Sequence, residues 1–229
     1  MKAAGHAIRV ANTRGREGVQ RLAEEIGVTA ADVHEAVKET EVIILAIPLP
    51  AMAKLPAELF KGVPRDVPII DTSNYYPGLR DPQIQEIDGG MPESVWVSKE
   101  LGRPVIKAFN NILAYSLAER GQPEGAPDRL AVAVAGDDAN AKRIVMALVN
   151  ETGFDPVDAG SLDESWRQQP STPAYCCDYD VLMMRKGLAE AIKNGAPKKR
   201  DRMPELFAKL GPNPRHEEIV AMNRSLHSL

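Results

Sequence analysis

Four short segments, three of them polar, each at or directly after the end of an apolar run, carry residue types suited to holding a nucleotide. The first is Asn12-Thr13-Arg14-Gly15-Arg16, after the strand-like residues 7–11. In dinucleotide-binding sheets the end of the second strand meets the adenosine ribose. An acid there accepts from the 2′-hydroxyl, whereas a neutral polar residue followed by arginine receives a 2′-phosphate. Asn12 and Thr13 can donate hydrogen bonds, and the Arg14 guanidinium offers a planar fork to a phosphate, with Arg16 beside it. This composition favours NADP over NAD. The plain alternative is a basic turn between a strand and a helix.

The second segment ends the apolar run 42–47 at Ile47-Pro48, the third is Asp71-Thr72-Ser73-Asn74, and the fourth is Lys107-Ala108-Phe109-Asn110-Asn111. Each alone reads equally as a strand terminator or an ordinary loop. Together they place amide and hydroxyl groups at one edge of a sheet, the carboxyl edge where open α/β sheets bind ligands.

No self-sufficient catalytic signature accompanies them. The chain has no His-Glu-x-x-His, no Gly-x-Ser-x-Gly and no phosphate loop. Its histidines, His6, His34, His216 and His227, are scattered, and its cysteines, Cys176 and Cys177, are adjacent and read as packing. A protein nucleophile or a metal centre therefore has no support in the sequence. A bound cofactor that brings its own reactivity is the better expectation.

The elements that must position these residues follow from hydrophobic spacing. Strands are expected at 7–11, 42–47, 67–71, 104–108, 130–135 and 154–158, with 42–47 buried on both faces. Helices are expected at 17–26, after Thr29, at 51–61, 93–101, 112–120 and 137–150. Strands alternating with helices predict an α/β fold, a doubly wound and mainly parallel sheet. Beyond residue 160 the pattern is helix and loop only, and 174–193 is the longest helical candidate. Residues 1–160 are accordingly read as the nucleotide-binding domain and 161–229 as a helical C-terminal region.

Composition excludes other classes. The chain has 229 residues, 44% of them hydrophobic and 26% charged, which suits a globular protein. The net charge of −4 argues against nucleic-acid binding. Seven Lys/Arg against two Asp/Glu fall between Lys193 and Arg215, and Lys198-Lys199-Arg200 reads as a solvated connector. The longest apolar run, 42–53, is broken by Pro48 and Pro50 and is too short to span a bilayer. A cytoplasmic protein without membrane partners is expected.

The residues also resemble a known family. Ala4-Gly5-His6 leading into Arg9-Val10-Ala11-Asn12-Thr13-Arg14-Gly15 is similar to the second-strand region of the coenzyme F-420 (deazaflavin)-dependent NADP oxidoreductases. Residues 42–48, 107–110, Ala135-Gly136-Asp137-Asp138 and 157–162 resemble that family's later landmarks, in order, and 166–175 resembles its bacterial branch. The resemblance implies a Rossmann-like NADP-binding domain with a small helical C-terminal part, usually a homodimer. It implies Asn12, Thr13 and Arg14 at the 2′-phosphate, and Ile47 and Pro48 beside the dinucleotide. Ser73, Asn74 and Asn110 are assigned to the cofactor, and Asn111 and Ile112 to the second substrate. The implied reaction is hydride transfer between NADP(H) and a deazaflavin.

The family opens with a strand and a Gly-x-Gly-x-x-Gly turn about 20 residues before the ribose-binding position. No two glycines here are spaced Gly-x-Gly, and Met1 to Gly5 resemble only the last turn of the following helix. The expectation is an N-terminus that lacks the first, central strand, through a late start. Strands pair about 4.8 Å apart, so its neighbours would face each other across a slot that hydrogen bonds cannot span. Two other functions fit the same residues. One is a non-catalytic remnant, or a subunit that pairs its exposed strand edge with a partner chain. The other is an NADPH-dependent imine or carbonyl reductase resembling pyrroline-carboxylate reductase.

Overall fold

Short β-branched and alanine-rich runs form strands where helices cover both of their faces, and that condition organises the molecule. A computed structural model describes residues 1–227 and 229. A single 3-10 turn, Lys2–Ala4, precedes β1 (Arg9–Val10), α1 (Gly15–Ile26), β2 (Thr29–Ala30), α2 (Val33–Val37) and β3 (Ile43–Leu45). A 3-10 segment, Leu49–Lys54, leads to β4 (Ile69–Asp71), α3 (Gln85–Asp88), α4 (Glu93–Leu101), β5 (Ile106–Lys107) and α5 (Ala114–Glu119). Then come β6 (Ala131–Val134), α6 (Ala139–Glu151), β7 (Asp155–Asp158) and the 3-10 segment Leu162–Gln168. Four helices complete the chain: α7 (Val181–Glu190), α8 (Ala196–Arg200), α9 (Met203–Leu210) and α10 (His216–Ser225).

All strand pairs are parallel: β1 with β2, β3 with β4, β4 with β5, and β6 with β7. The β3–β5 and β6–β7 sheets are joined by one antiparallel bridge. There Lys107 N donates to Ala135 O at 2.8 Å and Ala135 N to Lys107 O at 3.0 Å. The two-residue period sorts side chains onto opposite faces. Ile70, Ile106, Ala108, Val132 and Val134 pack with Val145, Leu148 and Val149 of α6. On the other face Ile43, Leu45, Ile69 and Val105 pack with Trp96 and Val97 of α4, while Ala131, Ala133 and Val157 pack with Met184 and Leu188 of α7. The fold is α/β and Rossmann-like, mainly parallel and covered on both faces.

The β1–α1–β2 unit has its own small core of Val19, Ala23 and Ala30. Among the described residues no strand pairing joins it to β3. Ile43 N and Leu45 O bond toward β4, so Ile44 turns its backbone groups to the opposite edge, and its side chain is 38% exposed. The run 42–47 is therefore not buried on both faces as its apolarity suggested.

Other sequence expectations are corrected. The helix expected after Thr29 is α2, Val33–Val37, opened by a capping box of Asp32 and Glu35, but the short strand β2 at Thr29–Ala30 was not expected. The segment expected as helix 51–61 is a 3-10 turn ending before Pro56, which has no N–H to give. The expected helix 174–193 shrinks to Val181–Glu190, because Cys176 and Asp178 take positive φ (52° and 48°). Lys198–Arg200 are helical rather than a solvated connector: Lys199 Nζ donates to Leu226 O, and Arg200 lies over the Tyr75 ring. No helix among the described residues is long and apolar enough to cross a membrane.

Candidate functional site

The turn after β1 is organised by Asn12. Its Oδ1 accepts from the Arg14 N–H at 2.9 Å and its Nδ2 donates to the Gly18 carbonyl at 3.0 Å. Asn12 therefore shapes the loop with both ends of its amide. A Cβ on Gly18 would lie 2.3 Å from the Arg14 Cβ, so only glycine lets this turn close onto α1. Thr13 and Arg14 are exposed. Arg16 is committed to both carboxylate oxygens of Glu35. The Arg14 side chain makes no hydrogen bond or ion pair among the described residues and sits at the positive end of α1. An open arginine beside a threonine hydroxyl at a helix N-terminus suits a phosphate monoester, so the residues at this end fit the 2′-phosphate of NADP.

At the carboxyl end of β3, Ile47 is half-buried and Pro48 exposed. The next two strand ends carry a polar cluster that is not surface-facing. Asp71 is fully buried, and both its oxygens are used: Oδ1 accepts from Ser73 N at 2.9 Å and Ser73 Oγ at 2.6 Å, and Oδ2 from Ser94 Oγ at 2.6 Å and Lys107 Nζ at 3.2 Å. Lys107 also donates to the Ser73 carbonyl and lies 3.9 Å from Glu93 Oε2. Burial raises the Glu93 carboxyl to about 7, against the pull of Lys107. Lys107 and Glu93 were not among the predicted site residues. Their signal was a lysine inside an apolar strand and an acid opening a helix.

The loop after β5 turns at Phe109, whose φ is 60°. Asn74 and Asn110 then meet. Asn110 Nδ2 donates to Asn74 Oδ1 at 3.0 Å and to the Gln168 carbonyl at 2.7 Å, while Asn110 Oδ1 accepts from Gln168 Nε2 at 2.9 Å. Asn111 Nδ2 donates to Ala174 O at 3.1 Å, and Asn111 O accepts from Cys176 N at 3.0 Å. These bonds explain why residues 170–177 can be irregular and yet buried throughout. Asn111, Asn223 and Arg224 supply the donors that helix or sheet neighbours would otherwise give, and Asn110 does so for Gln168 just before the segment. Tyr76 and Tyr175 add a hydroxyl pair at 2.7 Å, and burial holds both phenols above the usual range. Ile112 is half-buried beside the loop. Cys176 and Cys177 are free and buried, and burial raises the Cys177 thiol to about 12.

The structure therefore joins Asn74 to Asn110, and it engages the amides of Asn110 and Asn111, but not that of Asn74, with the C-terminal segment. Asn12, Thr13 and Arg14 form a separate cluster on α1. Asn110→Ala is expected to destabilise the chain by about 2 kcal/mol in urea unfolding, since it strands the buried Gln168 carbonyl. A loss under about 0.5 kcal/mol would mean the network carries no weight.

The chain is similar in sequence and fold to known proteins. The family described as "NADP oxidoreductase coenzyme F420-dependent" matches residues 1–75. The chain is 52% identical over 128 residues to the protein YjhV of Escherichia coli strain K12, an alignment spanning 55% of this chain and 84% of YjhV. Among solved structures, the hypothetical protein SMa0349 of Sinorhizobium meliloti matches at TM-score 0.60 and 28% identity, over 73% of this chain and 80% of its own. A "putative f420 dependent nadp-reductase" of Arthrobacter sp. FB24 matches at TM-score 0.57 and 19% identity, over 72% and 79%, which speaks to the fold alone. The chain belongs to the coenzyme F420-dependent NADP oxidoreductase family.

Proposed function

We propose that the protein is an NADP-dependent oxidoreductase that passes a hydride between NADP(H) and a deazaflavin. The observation that carries this reading is the open Arg14 guanidinium beside Thr13 at the start of α1, within the family-matched residues 1–75. Arg14 and Thr13 bind the 2′-phosphate, Asn12 holds their loop, and Ile47 and Pro48 border the dinucleotide. Ser73, Asn74 and Asn110 line the dinucleotide, and Asn111 and Ile112 face the second substrate, with the loop held in place by Gln168 and the tyrosine pair. The nicotinamide supplies the hydride chemistry, and the chain's own work is stacking, orientation and exclusion of water. A cytoplasmic homodimer is part of the proposal. Leu182 and Ile192, 75% and 77% exposed, are apolar side chains that a second copy would cover.

Oxidation of NADPH by the full chain, followed by absorbance, tests the reading. Turnover with the deazaflavin coenzyme that exceeds turnover with pyrroline carboxylate supports it. The reverse order assigns the chain to the imine reductases. A second reading has its own support in the β3 edge at Ile44, which has no strand partner among the described residues: a non-catalytic subunit that pairs this edge with a strand of a partner chain. Absence of turnover with either acceptor, together with a hetero-oligomer on co-purification, would favour it.

A further inference from the structure

The buried cluster beneath the Ser73–Asn74 turn has an unbalanced charge. Lys107, Asp71 and Glu93 are each at most 1% exposed, so one ammonium faces two carboxyl groups out of contact with water. Asp71 receives four hydrogen bonds, the surroundings of an ionised carboxylate. Glu93 Oε2 receives none and stands 3.9 Å from the Lys107 ammonium. A buried, unpaired charge is strongly disfavoured. Oε2 is therefore where a proton belongs, and with it the cluster is neutral. Lys107 is then free to donate to Asp71 and to the Ser73 carbonyl together.

We propose that Lys107 is a positioning residue that pins the turn of residues 73–76 against the Asn110 loop through the Ser73 carbonyl, and that the turn loosens when Glu93 carries a charge. An ionised Glu93 competes for the Lys107 ammonium and draws it off the carbonyl. The other charged or titratable groups acting on Glu93 are Asp71, which opposes its ionisation, and Arg200 of α8, which favours it; Tyr76 stands close enough to feel its charge. Burial is the largest influence and sets the Glu93 carboxyl near 7, so the change falls in the neutral range. The consequence for cofactor binding rests on the functional reading above, but the device itself does not.

The test is backbone hydrogen exchange over residues 72–77 in the full chain without ligand, corrected for the intrinsic rate of exchange. Wild-type protection is expected to fall roughly tenfold between about pH 6 and pH 8.5, while protection in α6 does not change. Glu93→Gln, which keeps the shape and cannot ionise, is expected to stay protected at both. Lys107→Met is expected to be unprotected at both; should it fail to fold, the Glu93→Gln comparison decides alone. A wild-type segment with no pH-dependent loss, or an equal loss in Glu93→Gln, overturns the proposal. If exchange behaves as expected but the NADPH affinity of the wild type is the same at both pH values, the device stands and the dinucleotide reading of this turn falls.

Discussion

Lys107→Met is expected to destabilise the protein by about 3–5 kcal/mol at neutral pH, because removing one partner of a buried ion pair leaves the other charge uncompensated. Methionine fills nearly the same volume, so the loss is not one of packing. Asp71 would keep its serine donors but lose the ammonium 3.2 Å away, and Glu93 would lose the cation that favours its ionisation. The stranded carboxyl groups would then ionise less readily. Stability of the variant should accordingly fall as pH rises, and part of the deficit should return toward about pH 5. Combining Lys107→Met with Asp71→Asn is expected to recover a large share, since the double change removes the stranded charge and leaves an amide that Ser73 and Ser94 can still bond. Urea unfolding of the four species in this cycle measures the coupling directly. Strictly additive losses would show that the pair at 3.2 Å contributes nothing beyond its two members.

Arg14→Ala carries the other large effect, on binding rather than folding. The side chain is exposed and makes no hydrogen bond or ion pair among the described residues, and alanine keeps the Cβ that lies against Gly18, so unfolding should shift by less than about 0.5 kcal/mol. A charge-assisted hydrogen bond to a phosphate is worth about 1.5–3 kcal/mol, which predicts a roughly 10- to 150-fold weaker NADPH complex. NADH has no 2′-phosphate and should bind the variant as it binds the wild type. Arg16 is tied to Glu35, and its replacement should matter less for the cofactor.

The sequence made the α/β alternation legible, because 3.6- and 2-residue periods survive in runs such as 131–134 and 139–151. It also placed the polar loops that follow β4 and β5 at one sheet edge, but not the loop after β1, whose strand lies in a separate sheet. What it could not show was partnership. Nothing in Asn110-Asn111 announces that both amides turn toward Gln168 and Ala174, more than fifty residues on, because buried irregular backbone has no periodic signature. Residues 174–180 looked helical by composition, but the positive φ of Cys176 and Asp178 is set by bonds to Asn111, Asn223 and Arg224 that lie far away in sequence. Lys107 and Asp71 stood in the motifs, but their pairing, and the role of Glu93 opposite them, required the register of β4 on β5. The exposure of Ile44 was hidden for the converse reason: an apolar run reports what a strand could bury, not what lies beside it.

The central claim, a 2′-phosphate site at Thr13 and Arg14, is most directly tested by titrating the full chain with NADPH and with NADH in parallel, wild type against Arg14→Ala. The wild type is expected to prefer NADPH by at least about tenfold, and the variant to lose the preference with its NADH affinity unchanged. Equal affinity of the wild type for the two dinucleotides, or an undiminished preference in Arg14→Ala, would contradict it.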